Sequence, residues 1–247
     1  MCYQQLAELD KDCLDLPSPQ VSHGERDGQR GKPADLTRRF GVAGRHLGPA
    51  RFGVNGQWLW ILGGIGVKRL ILLRHAKSSW DRPDLPDAAR PLSKRGERTA
   101  PLIGQLMARE GLVPDRILCS TARRAVQTAK RVVHAFPGES EIEEVDSLYM
   151  ATPREILSVL GDHGGHENSI LVIGHNPGLG DLAAWLVSEG DTRETRRLKD
   201  KFPTAALAVI DLPIENWHDL ADTVVDSWGG RLVRFAVPRD LETEEPN

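Results

Sequence analysis

The sequence predicts an α/β fold: a three-layer α/β/α sandwich around a mostly parallel central sheet. Three observations lead there. Short runs such as LILL, ILC and ILVIG are apolar throughout, so both faces of those strands must be covered. Helical spacings separate the runs, as in a sheet whose connections cross over as helices. The stretch from Lys68 to Pro238, roughly 170 residues, is long enough for one such domain.

Taken in order, KRLILLR from Lys68 is the first core strand. A helix then starts near Ser93, an N-cap in PLSKRGERTA, with Ala100, Ile103, Leu106 and Met107 at helical spacing. RILCS is a second strand, helical character resumes after Ala122 through Ala135, and EIEEV is a third strand. Thr152-Pro153-Arg154-Glu155 holds a complete helix start: Thr as N-cap, Pro at N1 and Glu closing a capping box. SILVIG is a fourth strand, ending at His175, and Leu179, Leu182, Ala183 and Leu186 form the next helical stripe. AALAVIDL and RLVRFAV are two further strands, expected nearer an edge. Residues 239–247, RDLETEEPN, read as an acidic, solvated tail.

Residues 1–66 differ from this domain, expected over 67–238. They are rich in Gly, Arg, Asp and Pro without a sustained period, and too little apolar surface is available to offset chain entropy. A disordered N-terminal extension is expected, with WLWIL the one segment able to dock. MCYQQLAELDKD lacks the basic start and apolar core of a secretory signal.

The chain has 247 residues and a net charge of -3, which gives no basic field to attract nucleic acid. No apolar run reaches the ~18 residues of a transmembrane helix, so no membrane partner is expected and the cytoplasm is the simplest location. Cys2, Cys13 and Cys119 are too scattered for a disulfide framework or a zinc site. Cys119, inside RILCS, reads as a buried structural thiol. His163 and His166 sit in a Gly-rich loop without further ligands, which reads as solvated loop. GGIGVKR precedes a strand, so neither the dinucleotide fingerprint nor the P-loop applies. The oligomeric state is left open.

The chemistry collects just past the strand ends, where sheets of this class bind ligands. After LILL come Arg74, His75, Lys77 and Ser78; after ILC come Ser120, Thr121, Arg123 and Arg124; after ILVIG comes His175. Two histidines with arginines suit phosphoryl transfer. Guanidinium forks hold phosphate oxygens, and an unprotonated imidazole can take the phosphoryl group and pass it to water. Neighbouring arginines disfavour the imidazolium. With cations supplied by the protein, no metal or other cofactor is required. A cysteine phosphatase would need Cys-x5-Arg, but the sixth residue past Cys119 is Ala125.

RHAKS, STARRAVQT and IGHNPG, in this order at strand ends, resemble the histidine phosphatase superfamily. LLRHAKSSW, RPLSKRG, LYMATP and GHNPGLGDL are most similar to its SixA-like phosphohistidine phosphatase branch. The resemblance covers Lys68 to Val237 and implies a phosphoglycerate mutase-like fold. It implies His75 as nucleophile, Arg74 and Arg124 as phosphate-binding arginines, and His175 as a second phosphate contact. Arg123 falls on an ordinary surface position. Lys77 and Ser78 are candidate substrate contacts.

The match has departures: Ala76 stands for the usual Gly, Thr121 for Pro, and Asp81 where many relatives have Asn. The Glu used by many relatives as proton donor has no counterpart, since Glu155 is taken by the capping box. Asp81 is the candidate donor, with Asp84, Asp87 and Asp146 behind it. An alkoxide leaving group needs a strong acid more than a phosphoramidate or phosphoanhydride does. The expectation is therefore a metal-independent phosphatase whose substrate is a phosphorylated protein carrying phosphohistidine. A phosphatase for nucleotides or another small-molecule phosphate is the second reading, and a non-catalytic phosphate-binding module the third.

Overall fold

The computed structural model describes residues 53–54, 57–58, 66–188, 192–222 and 229–242. The expected disordered extension lies largely outside the described residues, as do the last five residues of the acidic tail. The chain divides into two units, Met1–Trp60 and Ile61–Asn247. In the first, β1 (Gly53–Val54) and β2 (Gln57–Trp58) pair antiparallel, with Gly53 opposite Trp58.

The second unit holds a six-stranded sheet. Its strands are β3 (Lys68–Arg74), β4 (Arg116–Ser120), β5 (Glu143–Val145), β6 (Ser169–Gly174), β7 (Leu207–Leu212) and β8 (Arg231–Ala236). Their spatial order is β5-β4-β6-β3-β7-β8. β5, β4, β6 and β3 are mutually parallel, whereas β7 runs antiparallel to both its neighbours. β7 is thus an inner strand, and β8 takes the edge. The buried pattern of LAVIDL, against the exposed alternation of RLVRFA, reflects those positions.

Period-two alternation along β3 divides the core in two. Leu70 and Leu72 face one apolar cluster; Ile71 and Leu73 face the other. On the first side lie α3 (Pro153–His163), α4 (Gly178–Leu186) and α5 (Arg193–Asp200), contributing Ile156, Leu160, Leu182 and Leu198. On the second lie α1 (Lys94–Arg109) and α2 (Arg123–Val133), with Ile103, Leu106, Ala129 and Val132. This is the three-layer arrangement expected. A short α6 (Asp219–Asp222) packs near α3, and α7 (Pro238–Glu242) packs on α1.

The helix starts follow local chemistry. Ser93 accepts from the Gly96 amide, and Thr152 and Glu155 form the reciprocal capping box. Two elements differ from expectation. α5 was not anticipated, because RETRRLKD buries only Thr195 and Leu198. The acidic tail does not begin at 239: α7 continues to Glu242, and Leu241 is buried in the second core cluster. Leu241 is the one large apolar residue in that stretch, and with the Arg197–Asp240 ion pair it holds one turn on the domain.

α1 and α2 approach so closely that a Cβ at Gly104 would lie 2.3 Å from the Val132 carbonyl oxygen. By propensity alone, Gly to Ala in a helix interior gains about 1 kcal/mol. Here the backbone contact reverses the sign, and Gly104→Ala is expected to cost roughly 1–3 kcal/mol in urea unfolding. A more stable variant would contradict that packing.

Candidate active site

Sheet register assembles the site. β3 and β6 pair so that Arg74 lies opposite Gly174, and the next residues on each strand are the two histidines. β4 pairs with β6 at Cys119 and Ile173, bringing Ser120 to the same level. The rings of His75 and His175 consequently lie 5.1 Å apart between centroids. Both histidines, and Arg124 at the start of α2, are buried.

Arg124 is the hub. Its Nε donates to His75 Nε2 at 3.2 Å, and its Nη2 donates to His175 Nδ1 at 3.2 Å. Nη1 donates to the Asp87 carbonyl at 2.7 Å, and Nη2 also to Asp87 Oδ2 at 2.9 Å. The rest of STARRAVQT holds this side chain in place. Thr128 Oγ1 donates to the Arg124 carbonyl and accepts from the Ala76 amide, tying α2 to the loop just after His75. Gln127 Oε1 accepts from the Leu92 amide.

These partners fix the tautomers. His75 donates from Nδ1 to the Ala76 carbonyl at 2.7 Å, leaving Nε2 as an unprotonated acceptor. His175 accepts at Nδ1, so its Nε2 donates to Ser120 Oγ at 2.8 Å. Burial pushes His75 down to about 4, reinforced by the charges of Arg124 and Arg74 against the opposing Ala76 hydrogen bond. His175 is pushed down to about 3 by burial, with His75 and Arg124 adding to it. Both rings are neutral near pH 7.

Arg74 donates from Nη1 to the Phe202 carbonyl, which also accepts from Asn176 Nδ2, each at 2.9 Å. Its Nε is buried without a hydrogen-bond partner. Burial lowers its pKa, and the nearby Arg124 charge lowers it further. A buried, unpaired guanidinium N–H beside a second guanidinium is suited to an anion.

The structure thus brings together Arg74, His75, Arg124 and His175. It does not join the other candidates to them. The Lys77 side chain is exposed; the residue's carbonyl accepts from the Ser93 amide and hydroxyl. Ser78 Oγ accepts from Arg90 Nη2, so it serves the loop. Asp81 is exposed, and among the described residues its carboxylate makes no hydrogen bond or ion pair. Asp84 pairs with Arg82, Asp146 is exposed, and Arg123 is exposed as expected.

The carboxylate that does reach the cluster is Asp87. Besides Arg124, its Oδ2 accepts from the Tyr149 hydroxyl at 2.8 Å, and its Oδ1 from Arg90 Nη1 at 3.1 Å. Burial would raise this carboxyl, but the Tyr149, Arg124 and Arg90 hydrogen bonds outweigh it and hold the group below its ordinary value. Tyr149 also sets its ring edge-on to His175, with centroids 5.4 Å apart. Arg90 stacks under the exposed Trp80 while gripping the Ser79 carbonyl. LYMATP and RPLSKRG carry Tyr149 and Arg90, so the signal was present, but no spacing rule links either to a strand end.

Cys119 is fully buried, and burial raises its thiol pKa, so it is no nucleophile. His163 pairs with Glu143. Among the described residues no group of three or more His, Cys, Asp or Glu could hold a metal ion, and no helix is long and apolar enough to cross a membrane.

Comparison with known proteins places this geometry in a family. The profile of the histidine phosphatase superfamily (branch 1) matches residues 70–148. An uncharacterized protein of Mycobacterium tuberculosis is 35% identical over 170 residues, covering 68% of this chain and 100% of the relative. A solved structure from Agrobacterium tumefaciens, assigned as the phosphohistidine phosphatase SixA, is 32% identical with a TM-score of 0.57; the match covers 69% of this chain and 98% of that one. Another so assigned, from Nakamurella multipartitia, is 27% identical with a TM-score of 0.59, covering 70% and 97%.

The depressed His75 sets a direction for stability. The unfolded imidazole binds its proton near 6.5 and the folded one near 4. Between those values the unfolded chain carries more protons, so stability falls as pH falls through that window. With a slope that rises to about 1.4 kcal/mol per unit, acidification from pH 6.5 to 5 is expected to cost wild type about 1.5 kcal/mol more than His75→Gln. Urea unfolding at the two pH values measures this, and equal losses would contradict a neutral buried His75.

Proposed function

The chain belongs to the histidine phosphatase superfamily, in its SixA-like branch, and from that membership and the site we propose a phosphatase working through a phosphohistidine on His75. The observation that carries the reading is His75 itself. Its Nδ1 proton is committed to the Ala76 carbonyl, and its Nε2 lone pair lies in the anion-binding cluster, accepting from Arg124.

In the first step Nε2 attacks phosphorus, the bond to the leaving group breaks, and that bond's electron pair departs with the leaving group. Arg74 and Arg124 neutralise the phosphoryl oxygens, with the unpaired Arg74 Nε available as a donor. The proton kept on Nδ1 lets the phosphorylated ring carry a positive charge, stabilised by the Ala76 carbonyl. In the second step water adds to phosphorus, the Nε2–P bond breaks, and the water proton leaves with phosphate or solvent. His75 returns neutral. His175, whose Nε2 proton goes to Ser120, contributes beside the phosphoryl position by accepting from Arg124 Nη2 and so orienting that guanidinium. Two guanidiniums supply the positive charge, so the reaction runs without metal.

The proposed substrate is phosphohistidine on a protein. Support comes from the leaving group. The carboxylate at the site, Asp87, is held ionised by three donors, so it is poorly placed to protonate an alkoxide. An imidazole leaves a phosphoramidate without that help. Exposed Tyr149 and Met150 flank the site, and exposed Trp80 lies on Arg90 beside it, an arrangement open to a protein-borne group.

Incubation with a labelled phosphodonor is expected to leave an acid-labile, alkali-stable label that His75→Ala abolishes. Binding of phosphate analogues without turnover of any substrate would instead favour a binding module. Across a panel of phosphohistidine protein, nucleotides and sugar phosphates, kcat/KM is expected to be highest for phosphohistidine. Preference for an alkyl monoester would overturn the substrate assignment, and complete loss of activity with chelator would overturn the metal-free mechanism.

A further inference from the structure

Nothing in the phosphoryl-transfer scheme uses the carboxylate of Asp87, yet the structure invests heavily in placing it. The residue sits on a short 3-10 turn, Asp87–Ala89, that buries none of its residues. What holds it there is side-chain chemistry. Arg90, itself buried, binds Oδ1 while anchoring to Ser78 and Ser79. Tyr149, from the turn that follows β5 and 62 residues along the chain, donates to Oδ2. Met150, just after it, adopts the left-handed backbone at φ 54°, a conformation uncommon for a side chain of that size. The Asp87 side chain nevertheless remains 49% exposed. Arg124 spans the gap between this carboxylate and His75 Nε2, so Asp87 lies at the outer side of the guanidinium, toward solvent.

A carboxylate is an odd neighbour for a site that binds phosphate. It offsets one of the two guanidinium charges and repels an incoming dianion. Its presence is explained if the substrate brings positive charge with it. Resting on the phosphohistidine reading above, we propose that Asp87 and the Tyr149 ring form a leaving-group subsite selecting a protonated imidazole.

In this scheme the substrate reacts as the phosphorylated imidazolium, whose second ring nitrogen carries N–H. That N–H donates to the exposed carboxylate of Asp87, and the Tyr149 ring forms one wall. His75 Nε2 bonds to phosphorus as the substrate N–P bond breaks, and the electron pair returns to the departing nitrogen. The leaving ring departs as neutral imidazole, keeping its N–H. The positive charge passes to the newly phosphorylated His75 ring, so charge balances and no proton moves. The carboxylate favours the labile, protonated form of the substrate and disfavours anionic leaving groups.

Asp87→Asn is the informative change, because it removes the charge while keeping the backbone carbonyl on Arg124 and an acceptor for Tyr149. The measurement is the ratio of kcat/KM for a phosphohistidine peptide to kcat/KM for para-nitrophenyl phosphate, whose phenolate leaves as an anion. The ratio is expected to fall fivefold or more. A smaller change means Asp87 merely positions Arg124, and overturns the subsite. Should Asp87→Asn not accumulate as folded protein, Tyr149→Leu is read by the same ratio and threshold, since it removes the wall and leaves the carboxylate. The underlying reading fails separately: a wild-type protein that does not turn over the phosphohistidine peptide sinks the substrate assignment itself.

Discussion

The rest of the site follows from one constraint: a guanidinium only 4% exposed must be kept charged inside the protein. Arg124 has five N–H donors, and burial is tolerable only if acceptors meet them. Two of those acceptors are imidazole nitrogens, His75 Nε2 and His175 Nδ1, which can accept only when unprotonated. Burial keeps both rings neutral, the cation selects which nitrogen of each stays bare, and the Ala76 carbonyl and Ser120 hydroxyl take the remaining ring protons. An imidazole lone pair directed among guanidinium donors is the by-product of satisfying an arginine.

That solution depends on strand register. Slipping β3 against β6 by one residue would point the following side chain to the other face of the sheet. The apolar residues of β3 and β6 guard against it, because Leu70, Leu72, Ile170 and Val172 share one core and Ile71, Leu73, Leu171 and Ile173 the other. Close backbone packing adds a second guard. A Cβ on Gly178 would lie 1.9 Å from the Ala151 carbonyl oxygen, and one on Gly96 would lie 2.2 Å from that of Lys77. These contacts seat α4 behind His175 and α1 beside the loop after His75.

How much of this could be read from the chain depends on the range of the interaction. The apolar strands and the residues just past them were legible, since strand period and the rule that ligands gather at carboxyl ends are local statements. Arg74, His75 and His175 emerge that way, as does the pair Arg123 and Arg124, between which only the family resemblance chooses; strand register and the Arg124 hydrogen bonds bring the two histidines and Arg124 together. Asp87 was only one of several acidic residues near the motif. Its selection depends on Arg90 and Tyr149, which lie 3 and 62 residues away. Asp81 draws attention because it stands where many relatives have Asn, but its side chain faces solvent. Ser78 was misread for a related reason: its neighbour in space is Arg90, 12 residues on, rather than the anion site. In the fold, α5 escaped notice because a helix needs only two buried residues when its other contacts are capping and ion pairs.

The electrostatics of the site also bear on why a carboxylate sits at the rim and not at the centre. A carboxylate between the histidines would raise their proton affinity and take away the lone pairs that accept from Arg124. At the rim, its effect on His75 is present but secondary to burial and to Arg124. There it neutralises part of the Arg124 charge in the empty state, which eases the cost of burying that cation before any anion arrives. Arg74, Arg124 and Arg90 against the one carboxylate of Asp87 still leave a cationic cluster, which suits an anion. The rim position thus eases the burial of Arg124 without cancelling the charge that suits the cluster to an anion.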